Sequence, residues 1–129
     1  MAVNLAPPRA EDLLPIAGVR LGIAEAGIRK KDRKDLLVVD IAAESRVAGV
    51  FTRSLTAAAP VDWCKEQLGG GLARGILVNS GNANAFTGKA GVATVKAVAS
   101  AAARHLKCKP HDIFQASTGV IGEPLNPSP

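Results

Sequence analysis

The chain has 129 residues, of which 47% are hydrophobic and only 3% aromatic, and its formal net charge is +5 at pH 7. This length fits one domain with one core, and the scarcity of aromatic residues predicts a core of Val, Ile, Leu and small side chains. No apolar run approaches the ~20 residues that span a bilayer, and the N-terminal segment lacks the basic and apolar regions of a signal peptide. We therefore expect a soluble, cytoplasmic protein.

The positive charge is densest in the segment 29–34, which contains five basic residues and one aspartate. No aromatic residue lies near this segment to stack on a base, as a nucleic-acid site would require. The segment lies between two strand-like runs, so we interpret it as a solvated turn. No nucleic-acid or membrane partner is predicted.

The two cysteines lack CxxC spacing, which is typical of free thiols. His105, Cys108 and His111 follow one another at three-residue steps. The helix that carries the first of them is expected to end before the third, and a fourth ligand is not apparent. We therefore predict neither a metal nor a cofactor.

We expect a single domain over 1–129, with an extended surface arm at 1–15 and a truncated tail at 124–129. The arm contains three prolines and few apolar residues, and the tail is also rich in proline. The tail provides no helix to cover the last strand, so the chain looks cut short.

Three strands are predicted in the N-terminal half. Residues 18–28 alternate partly between apolar and polar, residues 36–43 form a nearly continuous apolar run, and residues 47–52 are again rich in strand formers. The continuous run predicts a strand that is buried on both faces. The short connections between the three segments favour an antiparallel meander.

Two helices are predicted. The first begins at Pro60, whose missing N–H would be unpaired in a first turn, and ends at the glycines 69–71. The second covers 88–107 and is amphipathic, with cations in its last turn. Its predicted apolar side consists of Val92, Val95, Val98, Ala99, Ala102 and Leu106.

A short strand at 76–78 leads into a polar loop before the second helix. The loop residues that favour turns are Asn79, Ser80, Gly81, Asn82 and Asn84. The last strand begins at Ile113 and ends in a similar run of hydroxyl and glycine residues. If the two strands are neighbours, 79–84 and 117–122 line the same edge of the sheet. The predicted fold class is α/β, with a mixed, largely antiparallel sheet covered on one side by the helix 88–107.

Thr118 and Gly119 offer a hydroxyl and a backbone N–H close together. Such donors suit an oxyanion hole, where fixed dipoles stabilise the negative charge that develops on an acyl oxygen. Composition alone favours simple connections for both 79–84 and 117–122. The sequence contains no P-loop, no HExxH and no GxSxG pattern.

Several segments together resemble one family, the ornithine acetyltransferases, which are the glutamate N-acetyltransferases of arginine biosynthesis. The resemblance extends over about 15–125 and is most specific in NSGNANA and STGVIGE. The segments, in chain order, are GVRLGIAEAGIRKKDRKDLLVVDI, VAGVFTRS, AAAPVDWCKEQL, GILVNSGNANAFTG and STGVIGE.

The resemblance implies covalent acyl transfer. Members of the family cleave their own precursor, and the freed N-terminal threonine of the second (beta) chain becomes the nucleophile, with its α-amino group as local base. N-acetylornithine donates the acetyl group and glutamate accepts it, and some members also use acetyl-CoA. The two chains form an αβ unit, usually doubled to a heterotetramer, and this half belongs to a layered αββα arrangement.

Thr118 and Gly119 match the family's oxyanion pair, and the resemblance gives Asn79, Ser80, Gly81, Asn82 and Asn84 a supporting role in the active site. No self-cleavage motif or nucleophilic threonine in that context occurs in this sequence. We therefore expect this N-terminal, alpha-chain-like fragment to be inactive by itself. Two alternatives are a self-processing amidase or aminopeptidase half, and a non-catalytic fragment that binds a partner.

Overall fold

The computed structural model describes residues 6–127, so the ends of the predicted arm and tail, 1–5 and 128–129, lie outside the described residues. Four strands form one mixed sheet in the order β1-β2-β3-β4, with two antiparallel pairings followed by a parallel one. Two helices complete the fold, so the predicted α/β class and mixed sheet are confirmed. The elements are β1 (Val19–Ala24), β2 (Leu36–Ile41), α1 (Ala59–Gln67), β3 (Gly75–Asn82), α2 (Gly88–Leu106) and β4 (Ile113–Val120).

β1 and β2 form an antiparallel hairpin whose connection, 25–34, contains the basic segment. The hairpin pairs Val19 with Ile41 and Ala24 with Leu36. The first strand is shorter than the predicted 18–28, because the chain leaves the sheet after Ala24 and turns through Gly27 at φ +66°. The exposed segment 6–15 contains only a single helical turn, Ala10–Asp12.

The predicted strand at 47–52 is absent, and this prediction was wrong. Arg46 makes an isolated bridge to Leu72, and the Val47 N–H donates to the Gly71 carbonyl at 3.1 Å. Both edges of β2 are already hydrogen-bonded, to β1 and to β3, so no edge next to β2 is free for this segment. The third strand of the meander is therefore β3. Phe51 instead packs against the core cluster that contains Phe114.

Helix α1 lies beside β4 and bonds to the backbone at its outer edge. The Trp63 indole N–H donates to the Ile113 carbonyl at 2.8 Å. The Gln115 N–H donates to the Cys64 sulfur at 3.3 Å, and the thiol donates to the Gln115 carbonyl at 3.2 Å. The side chains of α1 thus bond to backbone groups of β4 with which a fifth strand would otherwise pair. The predicted start at Pro60 is confirmed to within one residue, since the helix begins at Ala59.

Helix α2 covers one face of the sheet through closely packed small residues. Ala99 and Ala103 are buried against Ile113, and the Gln115 side-chain amide donates to the Val95 carbonyl at 2.8 Å. The predicted bounds, 88–107, are confirmed to within one residue, because Lys107 caps the helix in the left-handed region. Six residues were predicted to form the apolar, core-facing side of this helix. The prediction was wrong for Val92, which is 48% exposed.

The opposite face of the sheet is apolar and partly open. Cross-strand pairing places Leu21, Val39 and Ile76 in one row and Ile23, Leu37 and Val78 in the next. Leu21 is 71% and Ile23 62% exposed. β2 is half-buried along its length, so the predicted burial on both faces was wrong, because the β1 half of this face has no covering layer among the described residues. Neither helix in 6–127 combines the length and apolar character needed to cross a membrane.

Candidate functional site

The ends of β3 and β4 form the candidate site. The parallel pairing places Asn79 beside Ser117, Ser80 beside Thr118 and Gly81 beside Gly119. The two polar segments therefore do lie at the same edge of the sheet, as their similar strand endings predicted. The predicted loop beginning at position 79 was wrong in its start, because β3 continues to Asn82 and pairing with β4 holds these polar residues in extended conformation.

The two paired rows face opposite sides of the sheet. Asn79 and Ser117 lie on the α2 side, where the Ser117 hydroxyl donates to the Asn79 side-chain oxygen at 2.5 Å. Ser80 and Thr118 are one position further along each strand and therefore lie on the open, apolar side. Thr118 is exposed and Ser80 is half-buried. The hydroxyl predicted to act as an oxyanion donor thus lies on the face opposite α2.

The three asparagines of the predicted loop are buried, with exposed fractions of 5% for Asn79, 5% for Asn82 and 2% for Asn84. The Asn79 amide donates to the Asn82 carbonyl at 2.9 Å, and the Asn84 amide donates to the Gly91 carbonyl at 3.0 Å. The Asn82 amide donates to the Glu123 carbonyl at 2.9 Å. These side chains bind the backbone, so they shape the edge of the sheet.

Gly81 and Gly119 bring the two backbones into direct contact at a β-bulge. Their φ angles are +114° and +137°, a region that L-residues with a side chain rarely adopt. A methyl group on Gly119 would lie 2.2 Å from the Gly81 carbonyl carbon and 2.5 Å from the Asn82 nitrogen. Glycine is therefore required at 119 by packing alone. Gly119 is exposed, so the close backbone contact lies at the surface.

Sequence reasoning missed Asp35, which is only 5% exposed. Its two carboxylate oxygens accept the N–H groups of Ala26 and Ile28, each at 2.7 Å. The bond from Ala26 is the main cause that lowers the pKa of this carboxyl from its ordinary value, against the opposing effect of burial. The available signal was an acidic residue that follows a basic run and directly precedes an apolar strand.

A cavity of about 720 Å³ lies on the α2 side of the site, beneath the segment 123–127. Leu77, Val98 and Leu125 contribute apolar walls. Within 6–127, no buried side-chain nitrogen or oxygen is left without a hydrogen-bond partner. Ser117 and Gly81 line this cavity, whereas Thr118 and Gly119 do not.

The described part of the chain contains no group of three side chains that could hold a metal ion. His105 and His111 are exposed and Cys108 is half-buried. Burial raises the pKa of the Cys108 thiol, and the carboxylate of Asp112 adds to this effect. A raised pKa disfavours the thiolate that binds metals.

The ArgJ family model matches residues 20–128. The chain belongs to the ArgJ family. It is 56% identical over 124 residues to the arginine biosynthesis bifunctional protein ArgJ of Bartonella quintana, and 54% identical over 122 residues to that of Bradyrhizobium diazoefficiens. These alignments cover 96% and 95% of this chain but 30% of each relative. The chain thus spans about a third of the length of these ArgJ proteins.

Two solved ArgJ-family structures have the same fold. The arginine biosynthesis bifunctional protein ArgJ of Bacillus halodurans superposes with a TM-score of 0.79 at 33% identity, covering 84% of this chain and 57% of that one. The ornithine acetyltransferase of Mycobacterium tuberculosis, solved with ornithine, gives a TM-score of 0.75 at 39% identity over 84% of this chain and 60% of that one. Identity of this size supports membership of the ArgJ family beyond a shared fold.

Proposed function

We propose that this chain is the N-terminal part of a glutamate N-acetyltransferase that moves an acetyl group from N-acetylornithine to glutamate. Thr118 would donate its hydroxyl, and Gly119 its backbone N–H, to the oxygen of the tetrahedral intermediate. The observation that carries the proposal is the exposed Thr118 beside the close Gly81–Gly119 contact, at the carboxyl ends of two parallel strands. Membership of the ArgJ family and the relative solved with ornithine supply the substrate class.

The nucleophile in this proposal is the N-terminal threonine of a second chain, which this sequence does not contain. Its hydroxyl attacks the acetyl carbonyl of N-acetylornithine, and its α-amino group accepts the proton. Ornithine then leaves with that proton, and an acetyl-threonine ester remains. The amine of glutamate attacks the ester carbonyl, its proton passes through the α-amino group to the threonine oxygen, the C–O bond breaks, and N-acetylglutamate leaves with the threonine restored. Oxyanions form in both halves of the reaction, so one pair of donors serves both, and no cofactor is required.

The open apolar face gives the second chain a place to bind. Leu21 and Ile23 are largely exposed on the same side of the sheet as Thr118. Covering this face would complete an αββα arrangement and would remove apolar side chains from water. It would also bring a nucleophile to the side that carries the proposed donors. A heterotetramer and acetyl-CoA as a further donor are extensions of this proposal.

The test is acetyl transfer from N-acetylornithine to glutamate by this chain alone and by a mixture with the remainder of a related enzyme. We expect activity only in the mixture. Binding without turnover would favour a non-catalytic fragment, and peptide hydrolysis would favour an amidase.

In the active mixture, Thr118→Ala should lower kcat by about 100-fold or more, because one oxyanion donor contributes that amount. Ser100→Ala, which also removes one hydroxyl but lies on α2 outside the candidate site, is the control and should keep near-native kcat. Retention of near-native kcat by Thr118→Ala would remove the donor role.

A further inference from the structure

Asp35 is a buried acid at the base of an exposed, basic loop. Its main chain belongs to the sheet: the Asp35 N–H donates to the Ala24 carbonyl at 3.1 Å, and its carbonyl accepts the Ser80 N–H at 2.9 Å. Its side chain turns back into the loop and accepts the two amides of Ala26 and Ile28. Hydrogen bonds to a charged acceptor are among the stronger ones in proteins. The carboxylate therefore fixes the start of the loop 25–34 relative to β3.

The loop that Asp35 fixes lies directly against Gly81. A methyl group on Gly81 would lie 3.1 Å from the Arg29 Cβ and 3.3 Å from the Ile28 Cγ2. On its other side Gly81 contacts Gly119, where a methyl group would lie 2.2 Å from the Gly81 carbonyl carbon. Gly81 thus lies between the loop and Gly119. This arrangement gives a displacement of Ile28 or Arg29 a direct route to the backbone of Gly119.

The loop has one further link to the site that the contacts identify, the ion pair between Arg29 and Glu123 at 3.0 Å. Both side chains are about half exposed, and exposed ion pairs contribute little to holding a geometry. The Asp35 carboxylate is the stronger restraint, because it is buried and accepts two short bonds.

We propose that Asp35 is a positioning residue that holds Ile28 and Arg29 against Gly81 and thereby sets the placement of the Gly119 backbone for oxyanion binding. The catalytic part of this inference rests on the function proposed above. Asp35 itself touches no substrate. Its effect on the reaction passes through Gly81, so it should change the rate of the chemical step and leave substrate binding nearly unaltered.

The first test uses this chain alone and does not depend on activity. In Asp35→Asn, amide hydrogen exchange at Ala26 and Ile28 should be about tenfold faster or more, because a neutral side chain replaces the charged acceptor. The amide NMR resonance of Gly119 should also shift. Asp32→Asn is the matched control on the same loop, since Asp32 is exposed and its φ of +56° is one that asparagine tolerates. An unshifted Gly119 resonance in Asp35→Asn would overturn the proposal.

The second test uses the reconstituted mixture. Asp35→Asn should lower kcat about tenfold or more, with KM changed by less than about twofold, whereas Asp32→Asn should keep both constants. A native kcat in Asp35→Asn, despite faster exchange in the loop, would show that Asp35 is only a structural residue.

Ile28→Ala covers the case in which Asp35→Asn does not fold. It keeps the carboxylate and its two bonds but removes the side chain that faces Gly81. A shifted Gly119 resonance and a lower kcat would support the proposal, and native values would overturn it. If the unsubstituted mixture shows no acetyl transfer, the proposed function fails, whereas the Gly119 resonance still decides whether the loop and the backbone are coupled.

Discussion

The substitution Gly119→Ala tests the contact on which the site depends. The new methyl group would lie 2.2, 2.5 and 2.6 Å from three backbone atoms of Gly81 and Asn82, at a φ of +137°. Backbone atoms of a paired strand cannot rotate away as a flexible side chain can. The two strands must therefore separate locally, or the peptide at 119 must adopt another conformation.

The expected decrease in the free energy of unfolding has two components. Placing alanine in this region of φ costs about 1–3 kcal/mol, and forcing an extra methyl group into a filled site costs about 1–3 kcal/mol more. We therefore expect the free energy of unfolding to fall by about 2–6 kcal/mol, which is a large part of the stability of a small domain.

The assay is urea unfolding followed by the fluorescence of Trp63, the single tryptophan, which bonds to β4. Gly122→Ala is the matched control, because Gly122 has a φ of +81° but no heavy atom within 4 Å of an added methyl group. The difference between the two variants isolates the steric component. A loss in Gly119→Ala within about 0.5 kcal/mol of that in Gly122→Ala would refute the close packing of the two backbones.

Three further predictions concern the surroundings of the site. Asn84→Ala should lower the free energy of unfolding by about 2–4 kcal/mol in the same urea assay, because the Gly91 carbonyl and the Thr87 hydroxyl lose a buried partner; a loss below about 0.5 kcal/mol would contradict this. The pKa of Asp35 is lower when folded than its ordinary 3.8, so its contribution to stability is present above that value and is lost as pH falls through the lower, folded pKa. Urea midpoints from about pH 5 to pH 2 should therefore fall less in Asp35→Asn than in the parent chain, and parallel curves would contradict the assignment. The open face with Leu21 and Ile23 should bind an apolar fluorescent dye, and weak binding would count against an exposed apolar surface.

Local signals were sufficient for the helices. The amphipathic repeat of α2 and the proline at the start of α1 act within a few residues, so their bounds followed from the sequence to within one residue. The prediction of a strand at 47–52 was wrong for a non-local reason. Its residues favour a strand, but strand formation requires a free edge, and which edges of β2 are occupied depends on segments far away in the chain.

The sequence predicted at which edge of the sheet the candidate site lies, but not on which face of the sheet each side chain lies. The similar endings of the two strands predicted that 79–84 and 117–122 line one edge of the sheet if the strands are neighbours, and β3 and β4 do pair. The register then places Asn79 and Thr118 on opposite faces. Their separation onto opposite faces depends on the register between β3 and β4, and a shift of one residue would reverse it. Asp35 was missed because the sequence signal, an acid between a basic run and an apolar strand, does not show that its partners are the backbone amides of Ala26 and Ile28.

The bonds from Trp63 and Cys64 to β4 also determine how copies of this chain can associate through their sheets. An exposed strand edge is a template for another strand, and a sheet with two such edges can grow without limit. Here α1 bonds to the first part of the β4 edge, at Ile113 and Gln115, whereas β1 is the outer strand at the other edge of the described sheet. Association by strand addition through β1 would use the same edge on both molecules and would close at two copies. Fibre growth along the whole β4 edge would first require α1 to detach.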